Sequence, residues 1–320
     1  MTFLYSLKAT FRACTLVCLL TAANLMPAYA HGIAGNRFFP GTLTFDDPAV
    51  ADEFSITTGV AENAVDGLYA TNNASTLSVV RLLTPTISIG IDTGYLRRNW
   101  NGVHQSGATG TDLVLKTRLY EDDQNETLVA GSLAYTFAGS GSRQIGANTP
   151  SSLGPSLYVG QGFGALPESL AWLRPFGITG GVSVAVPTSG SSSNLKYNLA
   201  LKQYVDVQTP AVAAVHWGFA IEYSTLYLTE RFQPGVLPKE EPLHQFVPLV
   251  EFAFDSLRGQ KTTGTANPGI AYVKDTWQFA AEAVLPLNRE SGRGVGAQVQ
   301  LLFFMDDFLP SVFGRPLLAK

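Results

Sequence analysis

The chain has 320 residues, a formal net charge of −4 and only 14% charged residues. Both of its cysteines lie within the first 20 positions, so a chain cleaved after them would have neither disulfides nor cysteine-bound metals. The acidic balance, without any basic run, excludes the electrostatic footprint of a nucleic-acid-binding protein.

Residues 1–30 have the pattern of a secretory signal peptide. Lys8 and Arg12 precede an apolar run over residues 14–23, and Ala28-Tyr29-Ala30 is a small-x-small cleavage site. The run is shorter than the roughly 20 residues that a transmembrane helix needs. We therefore predict cleavage after Ala30, which removes two basic residues, takes the net charge from −4 to −6 and leaves His31 as the first mature residue.

Residues 31–52 are rich in glycine, proline and turn-forming residues, as in Phe45-Asp46-Asp47-Pro48. This composition predicts an irregular N-terminal segment rather than a strand or a helix. We expect it on the periplasmic side or inside the lumen of the fold that follows.

Apolar and polar residues then alternate with period two, most clearly over residues 86–95, 112–120 and 195–202. This period is typical of β-strands, in which successive side chains point to opposite faces. Similar segments follow one another to the end of the chain: 127–137, 181–186, 217–227, 247–255, 277–285 and 294–304. With strands hidden in residues 53–83 and 270–275, the sequence predicts about 10–12 strands, an even number being the rule in bacterial barrels.

The middle of the chain interrupts the alternation. Over residues 160–175, Pro167 and Glu168 are suited to a first helical turn, and the leucines that follow have helical spacing. Pro175 then ends the pattern. We predict one short helix here, at a barrel mouth or inside the lumen.

An exported chain whose strands alternate in this way fits a transmembrane barrel, with the apolar face in lipid and the polar face in a watery lumen. Only a closed barrel satisfies all strand edges in lipid. We therefore predict that residues 31–320 form one all-β domain, an antiparallel β-barrel in the outer membrane. Residues 305–320 continue past the last strand, whereas barrels usually end on an aromatic residue. Either this tail folds back on the periplasmic side or the barrel prediction is wrong.

Charged residues on the polar faces are the candidate functional residues. A lysine or arginine facing lipid at mid-membrane would cost about 2–4 kcal/mol, so these side chains are expected to face the lumen. They could set the selectivity of a channel or merely fill and stabilise a narrow lumen, and the sequence leaves both readings open. The candidates are Asp92, Lys116, Arg118, Lys196, Lys202, Glu222, Glu251 and Glu282.

Three patches resemble a family of Gram-negative outer-membrane β-barrels named for the meta-pathway of phenol degradation. They comprise residues 37–40 with 45–48, residues 160–167 with 173–176, and residues 285–296 with 305–310. The resemblance implies a barrel and the passage of small apolar or aromatic compounds. It implies no particular functional residue.

Two weaker patterns suggest other chemistry. His104 and Ser106 have the His-x-Ser spacing with which a histidine on an outward-facing barrel strand activates a serine in the outer-membrane phospholipase. The glycines around them predict a polar loop over residues 97–110, however, and no third group that would orient the histidine can be identified. His31, as a mature N-terminus, could bind copper through its amine and imidazole, but His104, His216 and His244 are scattered.

The sequence thus favours a passive outer-membrane channel or transporter that is neither an enzyme nor dependent on a cofactor. Its expected partners are outer-membrane lipid, a small solute and the barrel assembly machinery during biogenesis, and not nucleic acid. A soluble periplasmic β-protein with a binding or metal-handling role is the first alternative. An outer-membrane acyl hydrolase is the second.

Overall fold

A computed structural model describes residues 32–65, 68–227 and 245–318. The predicted signal peptide, His31 and His244 lie outside the described residues. Within these ranges the structure is almost entirely strand, and no helix in them is long and apolar enough to cross a membrane.

Sixteen strands occur in the described residues: β1 (Ile33–Ala34), β2 (Arg37–Phe38), β3 (Glu53–Val65), β4 (Leu68–Thr84), β5 (Ile87–Trp100), β6 (Val103–Asp122), β7 (Thr127–Thr136), β8 (Ser152–Gly162), β9 (Phe176–Pro187), β10 (Ser191–Asn198), β11 (Gln203–Pro210), β12 (Ala214–Tyr223), β13 (Gln245–Leu257), β14 (Thr263–Lys274), β15 (Trp277–Pro286) and β16 (Gly296–Phe304). Twelve of them, β3 to β9 and β12 to β16, form a closed barrel with antiparallel neighbours, and β16 pairs with β3 to complete it. The prediction of an even-numbered, all-β barrel is confirmed.

The barrel has two distinct ends. At the lower end β3 begins, β16 finishes and the turn between β4 and β5 is short. At the upper end β7 and β8 are joined by residues 137–151, and β9 and β12 by residues 188–213, the two longest connections that the structure describes in full.

Alternation along each strand separates an inner from an outer face, as β13 illustrates. Val247, Leu249 and Glu251 are buried inside the barrel, whereas Phe246 and Pro248, which alternate with them, are exposed on its outer surface. Across the described strands the exposed outer positions are mostly leucine, isoleucine, valine and aromatic residues. The outer surface is thus the reverse of a soluble barrel, which would hide these side chains.

Aromatic side chains concentrate near both ends of this outer surface. The lower group consists of Phe54, Phe176, Tyr223, Phe246, Tyr272, Trp277 and Phe303, and the upper group of Tyr95, Tyr135, Phe137, Trp217 and Phe254. On β13, Phe246 and Phe254 are eight residues apart. With about 3.4 Å per residue and a strand tilt of about 40°, the apolar band between them is about 21 Å high.

The predicted helix in the middle of the chain is present as a short 3-10 helix, Glu168–Leu173, in the lower connection between β8 and β9. Pro167 begins it, and Leu170 inside it has non-helical angles, which limits it to short turns. The other short helices include α1 (Met305–Phe308) and α2 (Pro310–Phe313), which follow β16.

The segment predicted as a barrel strand over residues 195–202 does not belong to the barrel wall. Instead, β10 and β11 form a separate two-stranded hairpin in the upper connection between β9 and β12. Lys196 lies on β10, and Lys202 lies beyond it in the turn, where its φ of 50° is left-handed. The alternation was interpreted correctly as a strand, but a hairpin packed on one face produces the same pattern as a barrel wall.

The tail after β16 folds back against the lower end, as expected. The Arg81 guanidinium on β4 donates hydrogen bonds to the carbonyl oxygens of Val312, Phe313 and Arg315 at 2.8–3.1 Å. The same guanidinium donates to the buried Asp52 carboxylate at 2.8 Å. One outward arginine therefore joins the tail to the residue that precedes β3.

Candidate functional site

The N-terminal segment, residues 32–52, enters the barrel from the lower end and occupies part of the lumen. We call it the plug. Phe39, Val50 and Ala51 are almost completely buried between the plug and the barrel wall. Glycines in the wall make room for it, because an added Cβ on Gly218 would lie 2.8 Å from the Phe45 ring. Of the two positions expected for this segment, the periplasmic side and the lumen, its contacts correspond to the lumen.

The base of the plug is held by Arg37. Its guanidinium donates hydrogen bonds to the carbonyl oxygens of Arg174, Pro175 and Phe176 at 2.5–3.0 Å. It also lies 3.5 Å from the Glu126 carboxylate and stacks over the ring of Tyr227. Burial lowers the pKa of Arg37, and the charge of Glu126 opposes that shift. An ion this deeply buried is stable only with several such partners.

The middle of the plug is clamped by Glu251 on β13. This carboxylate is completely buried and accepts hydrogen bonds from the backbone N–H groups of Leu43 and Thr44 at 2.8 and 2.9 Å, and from the Thr44 hydroxyl. Gln278 on β15 adds a second contact, since its side-chain amide accepts from the Gly41 N–H and donates to the Gly41 carbonyl. The wall thereby satisfies backbone groups that an irregular segment cannot pair with itself.

The tip of the plug meets Lys116 on β6. The Lys116 ammonium lies 2.9 Å from the Asp46 carboxylate and 3.8 Å from that of Asp47, and 5.0 Å from the centre of the Tyr158 ring. Burial raises the pKa of Asp47 to about 6, although Lys116 pulls it down. The charge of the tip therefore changes within a moderately acidic pH range.

Two cavities lie inside the barrel: an outer one lined by residues from β4 to β9, β12 and β13, and an inner one beside the plug along the wall formed by β3 to β6. The inner cavity, of about 270 Å³, is bounded by plug residues 41–47 and by inward residues of these strands and β16. The outer cavity, of about 580 Å³, reaches the upper connections at Pro150 and Pro210. Thr76 and Asp92 line both, so the two cavities are adjacent there. Together their linings extend from the upper connections to the side of the plug.

The structure divides the eight predicted lumen residues into groups with different surroundings. Glu222, Glu251 and Glu282 are buried on inner faces of neighbouring strands next to the plug. Asp92 and Lys116 line the inner cavity.

The remaining three candidates lie away from this path. Arg118 is at the lower rim, where it pairs with Glu121 and donates to the Pro85 carbonyl at 2.8 Å. Lys196 and Lys202 are in the upper hairpin. Asp46, Asp47, Glu53 and Asp112, which also line the cavities, were missed by the sequence reasoning because a single carboxylate at a strand end or in an irregular segment has no alternation to mark it.

The chemical alternatives gain no support from the geometry. The loop prediction for His104 and Ser106 was wrong, because both lie in β6, two residues apart and on the same face of the strand. In the described residues no hydrogen bond joins their side chains. Within the described ranges, no group of three or more histidine, cysteine or acidic residues is arranged to hold a metal ion.

Several solved β-barrels are similar to this chain. A KdgM porin is 10% identical with a TM-score of 0.43, covering 78% of this chain and 98% of the porin. An outer-membrane channel from Pseudomonas putida F1 is 10% identical with a TM-score of 0.49, covering 83% and 99%. The β domain of the Bordetella autotransporter BrkA is 10% identical with a TM-score of 0.45, covering 79% and 98%.

No protein-family model and no curated protein matches the chain. The resemblance to the phenol-degradation family therefore stays a prediction. At TM-scores below 0.5 the likeness to solved structures carries no functional argument, so function has to be derived from the geometry of this chain.

Proposed function

We propose that this protein is an outer-membrane channel that lets small solutes pass through a lumen narrowed by its own N-terminal segment. The observation that carries the proposal is the pair of adjacent cavities inside a closed barrel with an apolar outer surface. A barrel of this kind needs a lipid surround, and a barrel that merely anchored the chain would not need a solvent path.

The outer surface supports a membrane location. Between the two aromatic groups, the outward positions of the described strands carry no charged side chain, whereas the inward positions include Asp92, Lys116, Glu222, Glu251 and Glu282. A height of about 21 Å is close to the roughly 25 Å apolar band of outer-membrane barrels. The aromatic groups correspond to the girdles that lie at the two interfaces of such a band.

The residues that line the inner cavity indicate which kind of solute the channel would admit. The inner cavity is bounded mainly by serine, threonine, aspartate, glutamate, glutamine and lysine side chains, together with two alanines, two valines, two leucines and one phenylalanine. Burying an apolar or aromatic compound against ionised groups gains little, because those groups must lose their own hydration. The geometry therefore favours small hydrated solutes over the apolar or aromatic compounds that the family resemblance implies.

The proposal is tested by reconstituting the purified protein in liposomes and measuring swelling in isotonic solutions of small polar and small aromatic solutes. We expect uptake of the smallest polar solutes, faster uptake in a Glu251→Gln variant whose plug is loosened, and a heat-dependent gel shift for both proteins. Compact, heat-modifiable barrels that admit no solute in either form would refute a channel. Recovery in the soluble periplasm without a gel shift would refute the membrane barrel itself.

A further inference from the structure

Carboxylates outnumber cationic groups along both cavities. The acidic residues on the two linings are Asp46, Asp47, Glu53, Asp92 and Asp112. Lys116 is the single lysine or arginine on them, and it is already paired with Asp46 and Asp47. His216, on the outer lining, is hydrogen-bonded to Asp255. The path from the mouth to the plug therefore carries an excess of negative charge.

Uncharged oxygen atoms lie between these carboxylates. Ser55, Thr57, Thr76, Ser78 and Ser88 line the inner cavity. Ser88 is 99% buried, with 1% of its surface exposed, and its hydroxyl has no hydrogen-bond partner among the described residues. An unpartnered hydroxyl buried at a cavity wall is costly unless something in the cavity completes its hydrogen bonding. Carboxylate and hydroxyl oxygens are the groups that replace water around a small cation.

The barrel strengthens the effect of these charges. A lumen lined by one sign of charge and walled by low-dielectric strands and lipid focuses the field and concentrates counter-ions. The Debye length at physiological salt is about 8 Å, so a solute in this narrow path lies within reach of the carboxylates. Rings of aspartate and glutamate select cations in other pores by the same physics.

We infer that the lumen passes small cations in preference to anions, with Asp92 on the linings of both cavities and Asp112 beside it as the main selectivity determinants. The inference rests on the proposed channel function and names its substrate class, small positively charged solutes. Asp92 faces Ser78 across the β4–β5 pair and also faces Asp112 across the β5–β6 pair, so the two carboxylates lie on adjacent strands at the same height. A solute moving from the outer to the inner cavity has to pass both.

The test is the reversal potential of the purified protein in planar lipid bilayers under a KCl gradient. We expect a K⁺ over Cl⁻ permeability ratio of severalfold, which falls towards one in Asp92→Asn, Asp112→Asn and most of all in the double variant. Lys116→Gln should raise the ratio, because it frees Asp46 and Asp47. Asp206→Asn is the matched control, since Asp206 is paired with Arg143 in the upper hairpin region and lies on neither cavity lining.

The possible results distinguish a failure of cation selectivity from a failure of the proposed channel function. Conductance with a ratio of one or less, or a ratio unchanged in the folded, heat-modifiable double variant, would overturn cation selectivity and leave the channel standing. A fall in the ratio for Asp206→Asn as large as that for Asp92→Asn would also overturn it, because the effect would then come from general surface charge. No current from the wild type or from the plug-loosened Glu251→Gln variant would overturn the channel and the inference with it.

Discussion

Glu251 holds the plug, and replacing it by glutamine should release the plug while keeping the size of the side chain. One carboxylate oxygen accepts from the Leu43 N–H, and the other accepts from both the N–H and the hydroxyl of Thr44. Glutamine removes the charge and substitutes an NH₂ group for one acceptor oxygen, so at least one donor of the plug then faces another donor.

The size of the effect follows from these contacts. A hydrogen bond to a charged group contributes about 1.5–3 kcal/mol and one between neutral groups about 0.5–1.5 kcal/mol, so three weakened bonds amount to about 3 kcal/mol. Since about 1.4 kcal/mol is a factor of ten, the ratio of released to docked plug should rise about 100-fold.

A single cysteine makes this ratio measurable, because both natural cysteines lie in the predicted signal peptide. Ala49 is a buried residue of the plug itself, so a thiol introduced by Ala49→Cys reacts with a maleimide only when the plug leaves the lumen. We expect labelling about 100-fold faster when Glu251→Gln is added, at equal heat-modifiability. Glu290→Gln is the matched control, because that carboxylate pairs with Lys261 at the surface. Equal labelling rates with and without Glu251→Gln would refute the clamp.

Three further predictions concern single contacts. Burial raises the pKa of Asp47 to about 6, so between about pH 4 and 6 the folded protein binds a proton that the unfolded chain does not. As the pH falls from 7 to 5, the thermal stability of the wild type should therefore increase relative to that of Asp47→Asn. An identical pH response of the two proteins would contradict this prediction. Arg81→Ala should free the tail and leave buried Asp52 without its cation, which shows as faster chymotrypsin cleavage after Phe313 than in Arg81→Lys. Equal rates would mean that the tail is held by other contacts. Gly218→Val should lower the unfolding midpoint because the added side chain collides with Phe45. Adding Phe45→Ala should restore part of the lost midpoint. If the midpoint stays as low with Phe45→Ala as without it, the collision is with another group.

Period-two alternation predicted most of the barrel, because the inner and outer faces of a strand have different solvents. Glu222, Glu251 and Glu282 could be placed on inner faces for the same reason: each alternates with apolar neighbours that face outward. The alternation could not tell the wall from the upper hairpin, since Lys196 alternates in the same way on β10. A period-two pattern indicates a strand whose two faces differ in polarity, but it does not indicate which sheet that strand joins.

The plug and its contacts could be predicted only in outline. Glycine and proline content indicated an irregular segment, but its position depends on contacts such as Leu43 with Glu251, more than 200 residues apart in the sequence. No local pattern encodes such a pair. The chain also runs past β16 without ending on an aromatic residue, and the role of Arg81 in holding that tail became visible only when β4 and residues 312–315 were seen together.

The long-range contacts of the plug impose an order on assembly. The plug precedes β3, yet its partners Glu251 and Gln278 lie 208 and 237 residues further along the chain. Contacts of such large sequence separation form late, because the intervening chain has to be ordered first. The first part of the mature chain to be synthesised is consequently among the last to find its place. Closure of the wall between β16 and β3 joins residues that are as far apart in the chain, so barrel closure and plug docking both wait for the strands near the end of the chain.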